Sequence, residues 1–434
     1  MKTPTDLRLS KRALFQQIGY EPHAGQLAVH RSKAPRRILC TGVRWGKTKC
    51  AAMEALAAAL EPKARSVGWV VSGTYDLADR VFREIVVTAV EHLRHRIVSL
   101  REHDKRLVLT NLGGGTSEIR AKSAENPMSL LGEGLDWVVI DEAARLKPTI
   151  WEAHLSQRLV DRQGWALLIS TPKGKGWLHV LWQRGQAGGA PDHESWNFPS
   201  WGNPRLDRDL IERQRLLLPE RVFAQEYEGA FVEGAGQVLR YVREAATGEW
   251  KEPVQGEEYF AGVDLAKVAD FTVLTIMNKA REVVFVDRFN RLDWGVQLQR
   301  IRAATERYND AFTLVDSTGG GEPVFEAMCA AGIRAEGYPF TAASKNALIN
   351  NLALLFERRE IRIPRYELFP TLVDELEAFE YSVTDSGNVR TSAPSGQHDD
   401  HVASLGLAAW AVQSAPDYTL LGIDPRTGVI APLM

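Results

Sequence analysis

Cysteine, net charge and long apolar runs are all scarce in this 434-residue chain, and each scarcity excludes something. The three cysteines, Cys40, Cys50 and Cys329, are too few and too scattered for a disulfide framework or a zinc site, which suits a reducing compartment. The formal net charge is only −2, so no global field announces a polyanionic partner. Any nucleic-acid surface must be a local patch, and two basic clusters qualify: Lys33, Arg36 and Arg37, then Arg94, Arg96, Arg101, Lys105 and Arg106. The opening MKTPTDLRLSKRALF has no apolar stretch of the kind a signal peptide carries. The longest apolar segment, around Ala51–Leu60, contains Glu54 and is too short to span a bilayer, so no membrane role is expected.

What is present is ordinary for a globular α/β protein: 44% hydrophobic and 25% charged residues, at a length that predicts two or three domains. The first half alternates β-rich runs with helical patterns. Its predicted strands are Arg37–Cys40, Val67–Ser72, Leu107–Thr110, Trp137–Ile140 and Ala166–Ile169. These are nearly continuous apolar runs, as expected for a mostly parallel sheet covered on both faces. A Gly-rich, charged stretch then predicts a boundary, with a first domain at 1–232, a linker at 233–256, a second domain at 257–414 and a tail at 415–434. The second domain opens with Phe260–Asp264, Phe271–Met277 and Val283–Arg288, which read as an antiparallel meander.

Three features carry chemistry in the first half. Strand Arg37–Cys40 runs into Thr41-Gly42-Val43-Arg44-Trp45-Gly46-Lys47-Thr48 and then a strong helix. This is a phosphate-cradling P-loop in its proper strand–turn–helix context, except that the first glycine stands one place late. Backbone N–H groups and the helix N-terminus favour phosphate, Lys47 can neutralise it, and Thr48 can ligate Mg²⁺. Arg44 adds a second cation. The second feature is the apolar strand Trp137–Ile140, which ends in Asp141 and Glu142, where a parallel sheet binds its ligands. Asp141 can hold a metal shell and Glu142 can polarise water. The third is Ser170-Thr171-Pro172, which follows the next strand and is also an ordinary turn sequence.

The second half offers acids in separate segments: Asp264 and Asp270 around the first two strands, Asp316 at a later strand end, and Asp399 and Asp400 opening an apolar helix between His398 and His401. Oxygen-rich groups of this kind bind Mg²⁺ or Mn²⁺, and two such ions can promote phosphodiester cleavage.

In order, GYEPHAGQLAVHR, TGVRWGKT, LDWVVIDEAA, LISTPKG, AQEYEGAFV, AGVDLAKVADFTVL, LVDSTGGG and GQHDDHVASLGLA resemble the large terminase subunits of tailed bacteriophages, from about Leu14 to about Val412. The displaced P-loop glycine also looks like this family. The resemblance implies a P-loop ATPase domain followed by a ribonuclease-H-like nuclease domain. It implies ATP and Mg²⁺ (or Mn²⁺ at the nuclease site) as cofactors, Gln26 as the adenine reader, and Ser170–Pro172 as the coupling element. It places nucleotide contacts at Gly42, Arg44, Gly46, Lys47, Thr48 and Asp141, with Glu142 supporting hydrolysis. Asp264, Asp316, Asp399 and Asp400 would hold the nuclease metals. Its implied partners are double-stranded viral DNA, the portal of a procapsid and a small terminase subunit. The implied assembly is a pentamer on the portal and a monomer in isolation, working in the host cytoplasm. One departure is Leu130-Leu131-Gly132, where some relatives carry a finger arginine; Arg44, Arg145 and Arg158 are the alternatives. A repair helicase–nuclease and an inactive prophage docking protein are the competing readings. The first would need a second motor lobe, and the stretch between Gly174 and Gly229 is short for one.

Overall fold

The computed structural model describes residues 8–232, 236–265, 271–318, 322–383, 389–392 and 398–414. Asp270, Gly319–Gly321 and the expected tail from Ala415 lie outside the described residues. The chain divides into two compact units that change over near 234/235, apart from short exchanged segments at 217–219 and 383–390.

The first unit is built on an eight-stranded sheet. Its strands are β1 (Arg36–Thr41), β2 (Arg65–Ser72), β3 (Ile97–Arg101), β4 (Arg106–Thr110), β5 (Thr116–Ser123), β6 (Trp137–Asp141), β7 (Trp165–Ser170) and β8 (His193–Phe198). They lie in the order β3-β4-β5-β2-β6-β7-β1-β8. From β5 to β8 the pairings are parallel, whereas β4 runs antiparallel to both β3 and β5. Strand residues alternate between two buried faces. Leu39 joins the cluster containing the helices Lys47–Leu60 and Tyr75–His92, while Ile38 and Cys40 join the cluster on the other face. Burial on both faces is why the central strands β2, β6 and β7 are nearly continuous apolar runs. The order also sets function: β1, β7 and β6 are neighbours, so their C-terminal ends form one edge.

The second unit has a five-stranded mixed sheet: β11 (Tyr259–Asp264), β12 (Thr272–Asn278), β13 (Val283–Phe289), β14 (Phe312–Asp316) and β15 (Ala335–Tyr338), in the order β13-β12-β11-β14-β15. The first three form the expected meander, and β14 and β15 add in parallel to β11. Short strands complete the unit. β9 (Gly236–Gln237) pairs with β17 (Glu380–Val383), which also neighbours β18 (Val389–Ser392), and β10 (Ala246–Gly248) pairs with β16 (Ile363–Pro364). The expected linker 233–256 is therefore not one over its described part. Val238, Leu239 and Val242 are buried in the second unit's core, which gives that segment apolar surface to hide despite its glycines and charges.

Part of each basic cluster differs from expectation, while Lys33, Arg94 and Arg101 are exposed. Arg37 is 3% exposed and ion-paired to Glu54, and Arg36 donates to the carbonyls of Pro35 and Gly164. Lys105 pairs with Asp79, and Arg106 with Glu118. These cations are committed to the fold instead of forming a free phosphate-binding face.

Candidate active sites

Left-handed backbone shapes the loop after β1. Arg44 (φ 61°) and Gly46 (φ 104°) both adopt it, so the chain coils before the helix Lys47–Leu60 begins. A side chain at Gly46 would also press on the Gln26 amide, 2.9 Å from its Cβ position. The loop is braced from several directions. Trp45 is fully buried and stacks flat on Phe198, with ring centroids 5.0 Å apart. Ser200 Oγ donates to the carbonyl of Val43 at 2.6 Å, and Asn203 Nδ2 to that of Arg44 at 3.0 Å. The amides of Gly42 and Val43 donate to the carbonyls of Phe198 and Glu226. A Cβ at Gly42 would strike the Tyr227 carbonyl and the Ser200 hydroxyl, so this glycine serves close packing and its amide is already engaged.

Lys47, the first residue of that helix, extends over the strand ends. Its Nζ lies 3.6 Å from Glu142 Oε1 and donates to Thr171 Oγ1 at 3.2 Å. The P-loop, the Asp-Glu pair and Ser170–Pro172 thus meet at the edge formed by β1, β7 and β6. Glu142 sits at φ 49°, an uncommon conformation for a non-glycine residue, held just past β6. The carbonyl of Asp141 accepts from Ser72 Oγ at 2.9 Å, and Ser170 Oγ accepts from the Ala144 amide at 3.2 Å. Burial, reinforced by the adjacent charge of Glu142, pushes the Asp141 carboxyl up to about 6. Thr48 is half-buried in the first turn of the helix, and Arg44 is exposed. Of the other arginines considered as a finger, Arg145 Nε stands 3.7 Å from Glu142 Oε2.

Gln26 is 5% exposed. Its Nε2 donates to the Gly46 carbonyl at 3.1 Å and its Oε1 accepts from the His23 amide at 3.2 Å, so the residue ties its own segment to the P-loop. It lines a cavity of about 410 Å³ together with Tyr20, His23, Gly46, Asn203 and Arg205. The sequence reading missed Ser200, Asn203, Arg205 and Trp45. Only a tryptophan inside a Gly-rich turn offered a signal, and Ser200 and Asn203 reach the loop from more than 150 residues away.

In the second unit the acids gather on adjoining elements. Asp264 ends β11 and Asp316 ends its parallel neighbour β14. The helix Asp400–Ser414 lies directly on β11, because Gly262 has no side chain: a Cβ there would collide with the Ser404 carbonyl and the Ala408 amide. Ser404 Oγ, 2.8 Å from the Gly262 carbonyl and from Thr275 Oγ1, fixes the helix in place. Its N-terminus therefore brings Asp399 and Asp400 to Asp264. Burial raises the Asp264 carboxyl to about 8, with the charges of Asp400, Asp399 and Asp316 adding to the shift and Lys345 opposing it. The other acids have their own contacts. Asp316 Oδ1 accepts from the amide and hydroxyl of Thr318 at 2.9 and 2.6 Å, Asp399 Oδ2 accepts from Lys345 Nζ at 3.1 Å, and His398 Nδ1 lies 3.6 Å from Asp400 Oδ2. Among the described residues no three His, Cys, Asp or Glu side chains stand together as a ready metal cage. Four carboxyl groups close enough for Asp264 to feel the other three, with Lys345 opposing them, nevertheless suit a divalent cation, which would relieve their mutual repulsion.

Two family models match the chain in succession. The family described as "Terminase large subunit, T4likevirus-type, N-terminal" matches residues 38–245, and "Terminase RNaseH-like domain" matches residues 261–411. The large terminase subunit of Thermus virus P23-45 is 34% identical, over 91% of this chain and 88% of that one. The large terminase subunit of Escherichia phage T5 is 28% identical over 54% of this chain and 53% of its own. The solved large terminase of bacteriophage D6E shares the fold with a TM-score of 0.56, covering 91% of this chain and 99% of that one at 14% identity. The chain belongs to the large terminase subunits, and is an ATPase and nuclease of phage DNA packaging and cutting.

Proposed function

We propose that the edge formed by β1, β7 and β6 is the ATPase site and that the acids around β11 and β14 are the nuclease site, each with its own metal. At the first, Lys47, Thr48, Gly46 and the helix N-terminus take the phosphates, with Gly42 bracing the turn and Arg44 at its rim. Asp141 belongs to the Mg²⁺ shell, Glu142 orients the attacking water, and Gln26 reads adenine. The 3.6 Å approach of Lys47 to Glu142 carries this reading, because the lysine can pass from the carboxylate to the phosphates when nucleotide enters. At the second, Asp264, Asp316, Asp399 and Asp400 hold one or two Mg²⁺ or Mn²⁺ ions. Bound there, such ions supply an activated water and charge stabilisation for phosphodiester cleavage.

The finer partners follow from the family. Double-stranded DNA is gripped by its backbone, so binding weakens steeply with salt. The portal of the procapsid seats a ring of five subunits, a small terminase subunit selects the DNA, and the isolated chain is a monomer. The work takes place in the host cytoplasm; no described helix is long and apolar enough to cross a membrane. The test is a double dissociation. Glu142→Gln is expected to abolish ATP turnover and leave metal-dependent DNA cleavage, and Asp316→Ala to do the reverse. Loss of both activities in either variant would remove the case for separate sites.

A further inference from the structure

Beyond the phosphate end of the ATPase site, the 410 Å³ cavity has a wall that nothing in the P-loop motif supplies. This wall is Asn203–Arg205, in the segment that follows β8. Two side chains fasten it to consecutive carbonyls of the phosphate loop: Ser200 to Val43 and Asn203 to Arg44. Asn203 also accepts, through Oδ1, the amide of Arg205 at 3.0 Å. One asparagine therefore sets the distance between the loop and Arg205.

Arg205 itself is exposed, and it lines the cavity beside Tyr20 and His23, both of which feel its charge. Its guanidinium makes no hydrogen bond or ion pair among the described residues, whereas the other cation of the lining, Lys49, is held by Glu84 at 2.8 Å. A planar, weakly hydrated cation left without a carboxylate partner at the mouth of a cleft suits a flat π-face. Across the lining, Gln26 presents an amide to the same space.

We propose that Arg205 stacks on the adenine ring of bound ATP and is a nucleotide-specificity residue of this ATPase, with Asn203 as its positioning residue. The proposal rests on the assignment of this cavity to the ATPase site. Gln26 meets the edge of the base, Arg205 covers a face, and the bond from Asn203 to Arg44 keeps the base wall in register with the phosphate loop. Nucleoside triphosphates with a smaller ring then lose part of the contact.

The experiment is steady-state ATP hydrolysis by the full chain, with inorganic tripolyphosphate as a competing probe that has phosphates and no base. Arg205→Ala is expected to raise KM for ATP about five- to twenty-fold with kcat nearly unchanged, the range of a cation–π contact expressed as affinity. Tripolyphosphate should inhibit this variant as well as it inhibits the unmodified chain. Arg205→Lys, which keeps the charge and loses the plane, should resemble the alanine variant, and both should keep the denaturation midpoint of the unmodified chain as evidence of folding. Asn203→Ala should raise KM in the same direction by a smaller factor. An unchanged KM in Arg205→Ala would overturn the proposal. So would full rescue by lysine together with weakened tripolyphosphate inhibition, which would make Arg205 a phosphate contact. Lys47→Ala is the separate control: if it hydrolyses ATP normally, the site assignment itself fails, whatever Arg205 does.

Discussion

Two acids, Glu54 in the first unit and Asp264 in the second, are opposites in the company they keep. Glu54, on the helix that follows the P-loop, is 2% exposed and held by three side chains: Arg37 Nη1 at 2.7 Å, His30 Nδ1 at 2.6 Å and Lys11 Nζ at 2.7 Å. Burial pushes its carboxyl up, but Arg37, His30 and Lys11 outweigh that and hold it well below the usual range. Asp264, half-buried at the end of β11, has acids for company, and burial plus the charges of Asp400, Asp399 and Asp316 drive it to about 8. A buried carboxylate whose partners come from the chain is a structural brace. One whose neighbours repel it marks a place where the chain leaves a charge for something else to balance.

The largest effect that can break this comparison is on activity. Asp264→Asn is expected to lower metal-dependent DNA cleavage by on the order of a thousandfold, the several kcal/mol that metal-held charge contributes, while ATP turnover stays normal. Glu54→Gln should do something different in kind. Arg37, 3% exposed, would lose its counter-charge, and the first unit should lose about 3–5 kcal/mol of stability, read as a lower denaturation midpoint with cleavage retained at low temperature. If Glu54→Gln abolished hydrolysis without touching stability, the acid would be part of the chemistry and the contrast would collapse.

How much of this was legible in the sequence follows the same divide between local and distant partners. β1, β2, β6 and β7 announced themselves because both faces are covered and nearly every residue is apolar. β5, TSEIRAKS, pairs directly with β2 yet alternates with polar residues, and Glu118 on it is satisfied only by arginines of the sheet. β8, HESWNF, is a polar edge strand with no apolar run to find. The phosphate loop and the Asp-Glu pair were readable because each motif is contiguous. Asp264, Asp316 and Asp399/Asp400 were recognisable as strand-end and helix-start acids, but the reason they meet is Gly262, which admits the helix onto β11. Glu54 looked merely like the charge that disqualifies an apolar segment from a membrane. Its significance lies in Lys11, 43 positions earlier, and in the two residues of the neighbouring elements that enclose it.

A third effect, smaller than the first two, concerns metal. Mn²⁺ or Mg²⁺ at a hundred times its dissociation constant should stabilise the second unit by about 2.7 kcal/mol through binding alone. Asp264→Asn should lose most of that gain, and Glu54→Gln should keep it. Equal stabilisation in all three proteins, measured by calorimetry with and without chelator, would mean that the ion binds elsewhere.

The smallest effect, and the sharpest in sign, is the pH dependence of stability in metal-free buffer. The folded-state pKa of Asp264 lies above the ordinary value of 3.8, so between about 4 and about 8 the folded chain holds a proton that the unfolded chain has released. Its contribution therefore makes stability fall as pH rises through that window. Glu54 works the other way. Its folded-state pKa lies below the ordinary 4.5, so its stabilisation is complete above that value and is lost as pH falls toward the depressed folded value. Denaturation profiles collected from acid to mildly alkaline pH should then separate the two acids. Asp264→Asn is expected to flatten the decline on the neutral side and leave the acid limb intact, whereas Glu54→Gln should weaken the acid limb and leave the neutral side as it was. If Asp264→Asn left the neutral slope unchanged, the crowding of acids around β11 would not be felt by that carboxyl, and the physical argument for a cation there would go with it.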